Sequence, residues 1–348
     1  MSGKLMSLNV LRGLAALLVV FYHMEVMKPS IITKTFSWGW IGVDVFFVLS
    51  GFFIGLSILK SASWSIASFL KRRFLRIAPA YYVSILLIVG LSSSYFLINT
   101  NGICHIIVHL FFTHSFRPEF HGSINGAYWT LGIEFFFYIL MALSYRIIKN
   151  DNLIYYYLAA WVIISWVWRV IFFYYGNPQQ IIMFISTTQL PGMLDEFACG
   201  ILVAKLYISR KSFFHNYLIG IIALITGLFF TFAFIYHIKV MGGNYWSDAL
   251  SVIFSRSFLS VGIALIIISF IILERSKIFI KICRYSGFYF LGTISYSIYL
   301  YHLPVFLNMK NSLEMNNVFT YWSECISIIT ILLISTVSYC FVEKRYYR

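Results

Sequence analysis

Charge is scarce in this chain, and acidic charge is scarcer still. Of 348 residues only 11% are charged, with 12 Asp or Glu against 26 Lys or Arg, while 60% are hydrophobic. A soluble domain carries roughly 25% charged and about 45–50% apolar residues. Without that polar complement a chain cannot cover its own outside, so the soluble globular class is excluded. The apolar excess equally excludes a disordered chain. No CxxC pair and no metal-ligand spacing occurs among the five cysteines, Cys104, Cys199, Cys283, Cys325 and Cys340. They read as small hydrophobes, not as a disulfide framework or a zinc site. No A-x-A-like cleavage site follows the apolar start of the chain, and Arg12 interrupts it. That segment therefore reads as a retained first membrane helix. No internal repeat, low-complexity linker or loop large enough for a soluble domain is visible, so a single membrane domain, 1–348, is expected.

What the chain has instead is apolar runs. A spanning helix needs about 20 mostly apolar residues. Ten segments qualify: Leu8–Met27, Gly39–Leu59, Ile77–Ile98, Tyr128–Ile148, Leu153–Tyr175, Leu190–Ile208, Asn216–Tyr236, Leu250–Leu273, Tyr289–Asn308 and Tyr321–Val342. A further run, Ile103–His114, is too short to span and reads as re-entrant or interfacial. The fold class expected is all-α: a polytopic integral membrane helix bundle of about ten transmembrane helices.

The net charge of +14 would point to nucleic acid in a soluble protein. Sorted by loop, it reports orientation. With the N-terminus inside, 18 Lys and Arg fall in cytoplasmic segments, from Lys4 to Arg348, and 5 fall outside. This is a positive-inside pattern with both termini cytoplasmic. Spread over six inside segments, the charge makes no nucleic-acid surface.

An ionisable group within a span is a functional hypothesis by default. The candidates are Arg12, His23, Asp44, Glu134, Arg169, Asp195, Glu196, Arg256 and His302. Arg12 and His23 are 11 residues apart, so on a helix they share a face, about 20° apart in azimuth and roughly 16 Å along the axis. The guanidinium suits a phosphate near the cytoplasmic end. The imidazole, deeper in, suits proton transfer at the end of a long arm. The competing reading is a snorkelling Arg and a His bonded to a neighbouring helix.

Asp44, near the outer end of a span whose Gly39, Gly42 and Gly51 permit close helix approach, could orient His23, accept a sugar hydroxyl, or simply be hydrogen-bonded at the interface. Ser50 lies in no Gly-x-Ser-x-Gly elbow. Lys71, Arg72, Arg73 and Arg76 fall within six positions, and Arg73 and Arg76 share a helix face. They form either a phosphate clamp or an anchor to anionic lipid. Glu134 lies two turns into its span and must be paired, solvated or protonated. Tyr128 and Trp129 are belt aromatics or a sugar platform. Asp195 and Glu196, being adjacent, point to different faces and make no dyad. Ser295, Tyr299 and His302 form one polar stripe, structural or substrate-facing, beside a kinking Pro304. His105 and His109 are four apart, but no H-E-x-x-H or matching acidic partner accompanies them, so no metal is expected.

Taken in order, these segments resemble the acyltransferase family 3 membrane proteins. The resemblance rests on Arg12 and His23 with ten residues between them, the run Phe46–Phe52, and Arg73-x-x-Arg76 with Pro79. It continues through Trp129 with Glu134, Phe197 with Gly200, Ser295–His302, and Glu343. Together these cover nearly the whole chain. The chain departs from the family pattern at Phe135, where many members carry a second acidic residue, and no hydrolase-like domain is expected after the last span. The resemblance implies an O-acetyltransferase of the bacterial inner membrane. It would move an acyl group, most often acetyl, from cytoplasmic acyl-CoA to a hydroxyl of an extracytoplasmic glycan such as O-antigen, capsule or exopolysaccharide, or a lipid-linked precursor. His23 would be catalytic, as general base or acyl carrier, with Asp44 or Glu134 orienting it. Arg12, Arg73 and Arg76 would bind acetyl-CoA, and Trp129, Tyr299 and His302 the acceptor. Membrane lipid and a second copy of the chain are the other partners to consider. The alternative is a multi-span transporter or flippase of a glycan or anionic small molecule, which predicts repeated halves and broken helices.

Overall fold

A computed structural model describes residues 5–92, 94–315 and 322–346. Lys4, Arg348 and the expected start of the last span at Tyr321 lie outside the described residues. The described residues are all-helical, 86% of them in helix, with no strand among them.

Ten long helices appear among the described residues: α1 Met6–His23, α2 Gly42–Lys60, α3 Ile66–Leu91, α4 Trp129–Leu143, α5 Leu153–Tyr175, α6 Leu190–Ser209, α7 Tyr217–Met241, α8 Ala249–Leu273, α9 Ser295–Met315 and α10 Ser323–Phe341. Eight of them, all but α6 and α9, are long and apolar enough to cross a membrane, α4 when taken with the preceding turn Gly126–Tyr128. This makes the chain a multi-pass membrane protein, because a helix satisfies its own backbone groups in hydrocarbon. α6 and α9 have spanning length, 20 and 21 residues, but α6 carries Asp195, Glu196 and Lys205 and α9 the polar stripe with Pro304.

Several boundaries differ from expectation; the third span ends at Leu91 and not Ile98, and the fourth ends at Leu143, before a short helix Tyr145–Lys149. α3 starts at Ile66, so the basic stretch Lys71–Arg76 is helical and continuous with the span, with Pro79 inside the helix. Lys and Arg are good helix formers whose stems lie along apolar surface. The expected span at Tyr289 is broken at Ile294, between a short helix Phe288–Thr293 and α9. The run at Ile103 forms the 11-residue helix Thr100–Leu110, whose first turn is capped by Asn99 accepting from the Gly102 amide at 2.6 Å.

The chain divides into two compact units. The first comprises residues 1–12, 43–66 and 136–289, and the second 13–42, 67–135 and 290–348. In the first, Phe197 of α6 stacks on Phe137 of α4 at 3.8 Å between ring centroids. The backbones of α2 and α6 meet there without side chains between them. A Cβ at Gly200 would lie 2.0 Å from the Val48 carbonyl, and one at Gly51 would lie 2.3 Å from the Phe197 carbonyl. In the second, α1 is approached by the turn leading into α2. A Cβ at Gly42 would lie 2.3 Å from the Ala15 carbonyl, so small residues set this approach. Along α10, Ser323, Ser327, Ser335 and Ser338 are buried on one helical face.

Candidate active site

His23 is the last residue of α1, before a single 3-10 turn Met24–Val26. Its Nδ1 lies 3.1 Å from the Val19 carbonyl, one turn back on α1. The same nitrogen lies 3.1 Å from Nε2 of His302 on α9, with the two ring centroids 5.0 Å apart. His302 is fully buried, whereas His23 keeps part of its surface open. His302 Nδ1 faces two carbonyl oxygens of its own helix, Ile298 at 3.1 Å and Tyr299 at 2.9 Å.

The stretch of α9 carrying His302 is fixed from two directions. Pro304 has no amide hydrogen, so the Leu300 carbonyl loses its helical donor. The Asn125 side-chain amide donates to that carbonyl at 3.0 Å, while its oxygen caps the turn Gly126–Tyr128 through the Ala127 amide. The buried Tyr299 hydroxyl donates to the Ala127 carbonyl and lies 2.7 Å from Thr130 Oγ1, which therefore donates to it. Each of these groups belongs to the second unit. Asn125 and Thr130 were not singled out from sequence; the signal for Asn125 is Pro304, whose presence inside a helix demands a donor elsewhere.

The sequence-level candidates divide accordingly. His23, His302, Tyr299, Trp129, Glu134, Arg73 and Arg76 belong to the second unit. Trp129 lies at the N-terminus of α4 with the His121 ring stacked on it, centroids 5.7 Å apart. The Arg73 guanidinium lies over the Phe69 ring, one turn back on α3. Arg12 belongs to the first unit, and so does Asp44.

Asp44, one of the two carboxylates considered for orienting His23, is paired with an arginine. Arg256 Nη1 of α8 donates to Asp44 Oδ1 at 2.7 Å and lies 3.8 Å from Glu196 Oε1. Arg169 of α5 grips Asp195 with both terminal nitrogens, at 2.9 and 2.8 Å, and also donates to the Ile253 carbonyl at 3.0 Å. Ser257 Oγ donates to Asp195 Oδ2. Three carboxylates and two guanidiniums are all buried here. Adjacent on α6, Asp195 and Glu196 turn to different arginines. Two of the three carboxyl groups are paired in this way, Asp44 with Arg256 and Asp195 with Arg169, while Glu196 lies 3.8 Å from Arg256, outside hydrogen-bond reach.

The histidines near the third span form no metal set; among the described residues no three His, Cys, Asp or Glu are placed to hold one. His109 stacks on His114 at 4.2 Å. Its Nδ1 faces the His105 carbonyl at 2.7 Å, and His114 Nε2 donates to the Tyr128 carbonyl at 2.9 Å. Burial, then the neighbouring His114, lowers His109 to about 3. Burial lowers His114 to about 4, and burial with His114 lowers His121 to about 4. All three are neutral at pH 7.

The acyltransferase-domain family matches residues 6–342, and the chain belongs to that family, acyltransferase family 3. It is similar to the peptidoglycan O-acetyltransferase OatA of Listeria monocytogenes, 27% identical over 97% of this chain and 55% of the relative. It is also similar to the O-acetyltransferase OatA of Staphylococcus aureus, 24% identical over 97% of this chain and 56% of the relative. The chain thus spans about half the length of these relatives. No solved structure matches it.

Proposed function

We propose that this chain is a membrane O-acetyltransferase that moves an acetyl group from acetyl-CoA to a hydroxyl of an extracytoplasmic glycan, with His23 as general base. The observation carrying the reading is the setting of His23. Among the described residues, every hydrogen bond of the ring runs through Nδ1, and the side chain stays partly open. A base needs one nitrogen held and the other within reach of a substrate. Family membership and the names of the two relatives support O-acetyl transfer, and the peptidoglycan in the Listeria relative's name supports a glycan acceptor.

In this reaction His23 Nε2 removes the proton of the acceptor hydroxyl as its oxygen attacks the thioester carbonyl carbon. The carbon–sulfur bond then breaks, and the proton passes from His23 to the departing sulfur, releasing CoA as the thiol. Arg73 and Arg76, one turn apart on α3, hold donor phosphates at the cytoplasmic end; for Arg12 the support is its place on the cytoplasmic half of α1, the helix that ends at His23. The positive-inside count supports a cytoplasmic donor side and an inner-membrane location.

The test uses the full chain in lipid nanodiscs or in native membranes that contain the acceptor. Replacing His23 by Ala is expected to lower acetyl-CoA-dependent ester formation by ~100-fold or more, as loss of a general base does. Activity near wild type removes His23 from the reaction.

A further inference from the structure

We infer that His302 is a positioning residue that holds His23 as the Nδ1–H tautomer and leaves Nε2 as the basic nitrogen. The inference rests on the reading of His23 as the base. It changes the expected role of His302 from acceptor binding to orientation of the catalytic ring.

The argument is one of donors and acceptors. A neutral imidazole has one N–H donor and one lone-pair acceptor. His302 Nδ1 faces two carbonyl oxygens, which can only accept, so that nitrogen carries the hydrogen. His302 Nε2 then presents its lone pair to His23 Nδ1. His23 Nδ1 now faces two acceptors, this lone pair and the Val19 carbonyl, so it too carries a hydrogen, shared between them. The lone pair of His23 is left on Nε2. A protonated His302 would turn its Nε2–H toward His23 Nδ1, whose lone pair would then point at the Val19 carbonyl. The assignment follows from the network, as tautomers must, and both neutral rings satisfy every contact only in this arrangement.

The pair also explains why a fully buried ring serves here. Both nitrogens of His302 are engaged by protein groups and its surface is closed, so it offers nothing to a substrate. When His23 takes a proton at Nε2, positive charge spreads to its Nδ1–H. The bond to His302 Nε2 then becomes charge-assisted and strengthens in the transition state. This is the task of the third group in nucleophile–base–orienter sites. A neutral acceptor does it without a second buried charge that would need its own partner.

The experiment compares His302→Leu, which keeps bulk but no acceptor, with His302→Gln, whose side-chain oxygen can stand near Nε2. In membranes containing the acceptor, the Leu variant is expected to lose ~30-fold or more in kcat with KM for acetyl-CoA within about twofold. The Gln variant is expected to recover at least about tenfold of that loss. In parallel, nitrogen NMR of the wild-type chain with labelled histidine, assigned with His23→Gln, is expected to show His23 protonated at Nδ1 and bare at Nε2. Equal losses in both variants, a change confined to KM, or a His23 ring protonated at Nε2 overturns the inference. The spectroscopic result does not depend on turnover. It therefore stands or falls separately from the base reading, which His23→Ala tests.

Discussion

The Asn125 amide reaches the Leu300 carbonyl at 3.0 Å, in the place where Pro304 removes a helical donor. A loop residue thus completes a helix that it does not belong to. Leaving a buried carbonyl unsatisfied costs about 1–3 kcal/mol. Asn125→Ala is therefore expected to lower the detergent-solubilised melting temperature. The double variant with Pro304→Ala restores an amide hydrogen to position 304, so the two changes should couple. The cost of Asn125→Ala should shrink by at least about 0.5 kcal/mol in the Pro304→Ala background, as residues sharing a partner do. Full additivity in a thermal-unfolding cycle would deny the relationship.

The buried ion pair Asp44–Arg256 makes a second prediction, and it separates stability from catalysis. Removing one member of a buried pair leaves an uncompensated charge and costs about 3–5 kcal/mol. Arg256→Met, which leaves Asp44 without its cation, should sharply reduce folded protein after extraction. Asp44→Leu combined with Arg256→Met removes both charges and should recover most of the folded yield. If the folded fraction of that double variant has near-normal kcat, Asp44 acts on stability alone. A folded double variant with kcat lowered ~100-fold would return Asp44 to the catalytic residues.

Much of this was legible in the sequence because its physics is local. Apolar runs of spanning length mark the helices. The spacing of Arg12 and His23 places them on α1, and that of Ser295, Tyr299 and His302 on α9. The partners were not legible, because they are far apart along the chain. His23 meets His302 across 279 positions, and Asp44 meets Arg256 across 212. The sequence leaves Asp44 and Glu134 both open as orienting groups for His23, since neither carboxylate's partner can be read from its position. Nothing in the sequence assigns the buried guanidinium of Arg256 to Asp44, which it meets at 2.7 Å.

Arg73 and Arg76 predict a defect in donor binding. A charge-assisted hydrogen bond to phosphate contributes about 1.5–3 kcal/mol, or roughly 10–100-fold in affinity. Each Arg→Ala change is expected to raise KM for acetyl-CoA about tenfold or more with a smaller effect on kcat. Lys at the same positions should recover part of the loss, since it keeps the charge but not the planar fork. An unchanged KM in both Ala variants would leave the basic stretch with lipid anchoring alone.

The neutral histidines outside the spans predict how stability depends on pH. Burial lowers His114 from its ordinary 6.5 to about 4 in the folded protein, so over that interval the unfolded chain binds more protons. Stability then rises with pH through the window and is lost as pH falls from about 6.5 toward 4. A shift of this size corresponds to on the order of 3 kcal/mol for His114 alone, with His109 and His121 pulling in the same direction. The melting temperature should fall steadily between pH 6.5 and 4. His114→Asn cannot titrate and should flatten that fall, at the cost of the bond to the Tyr128 carbonyl if its amide does not reach. A profile of the same slope in wild type and variant would show that the acid sensitivity arises elsewhere.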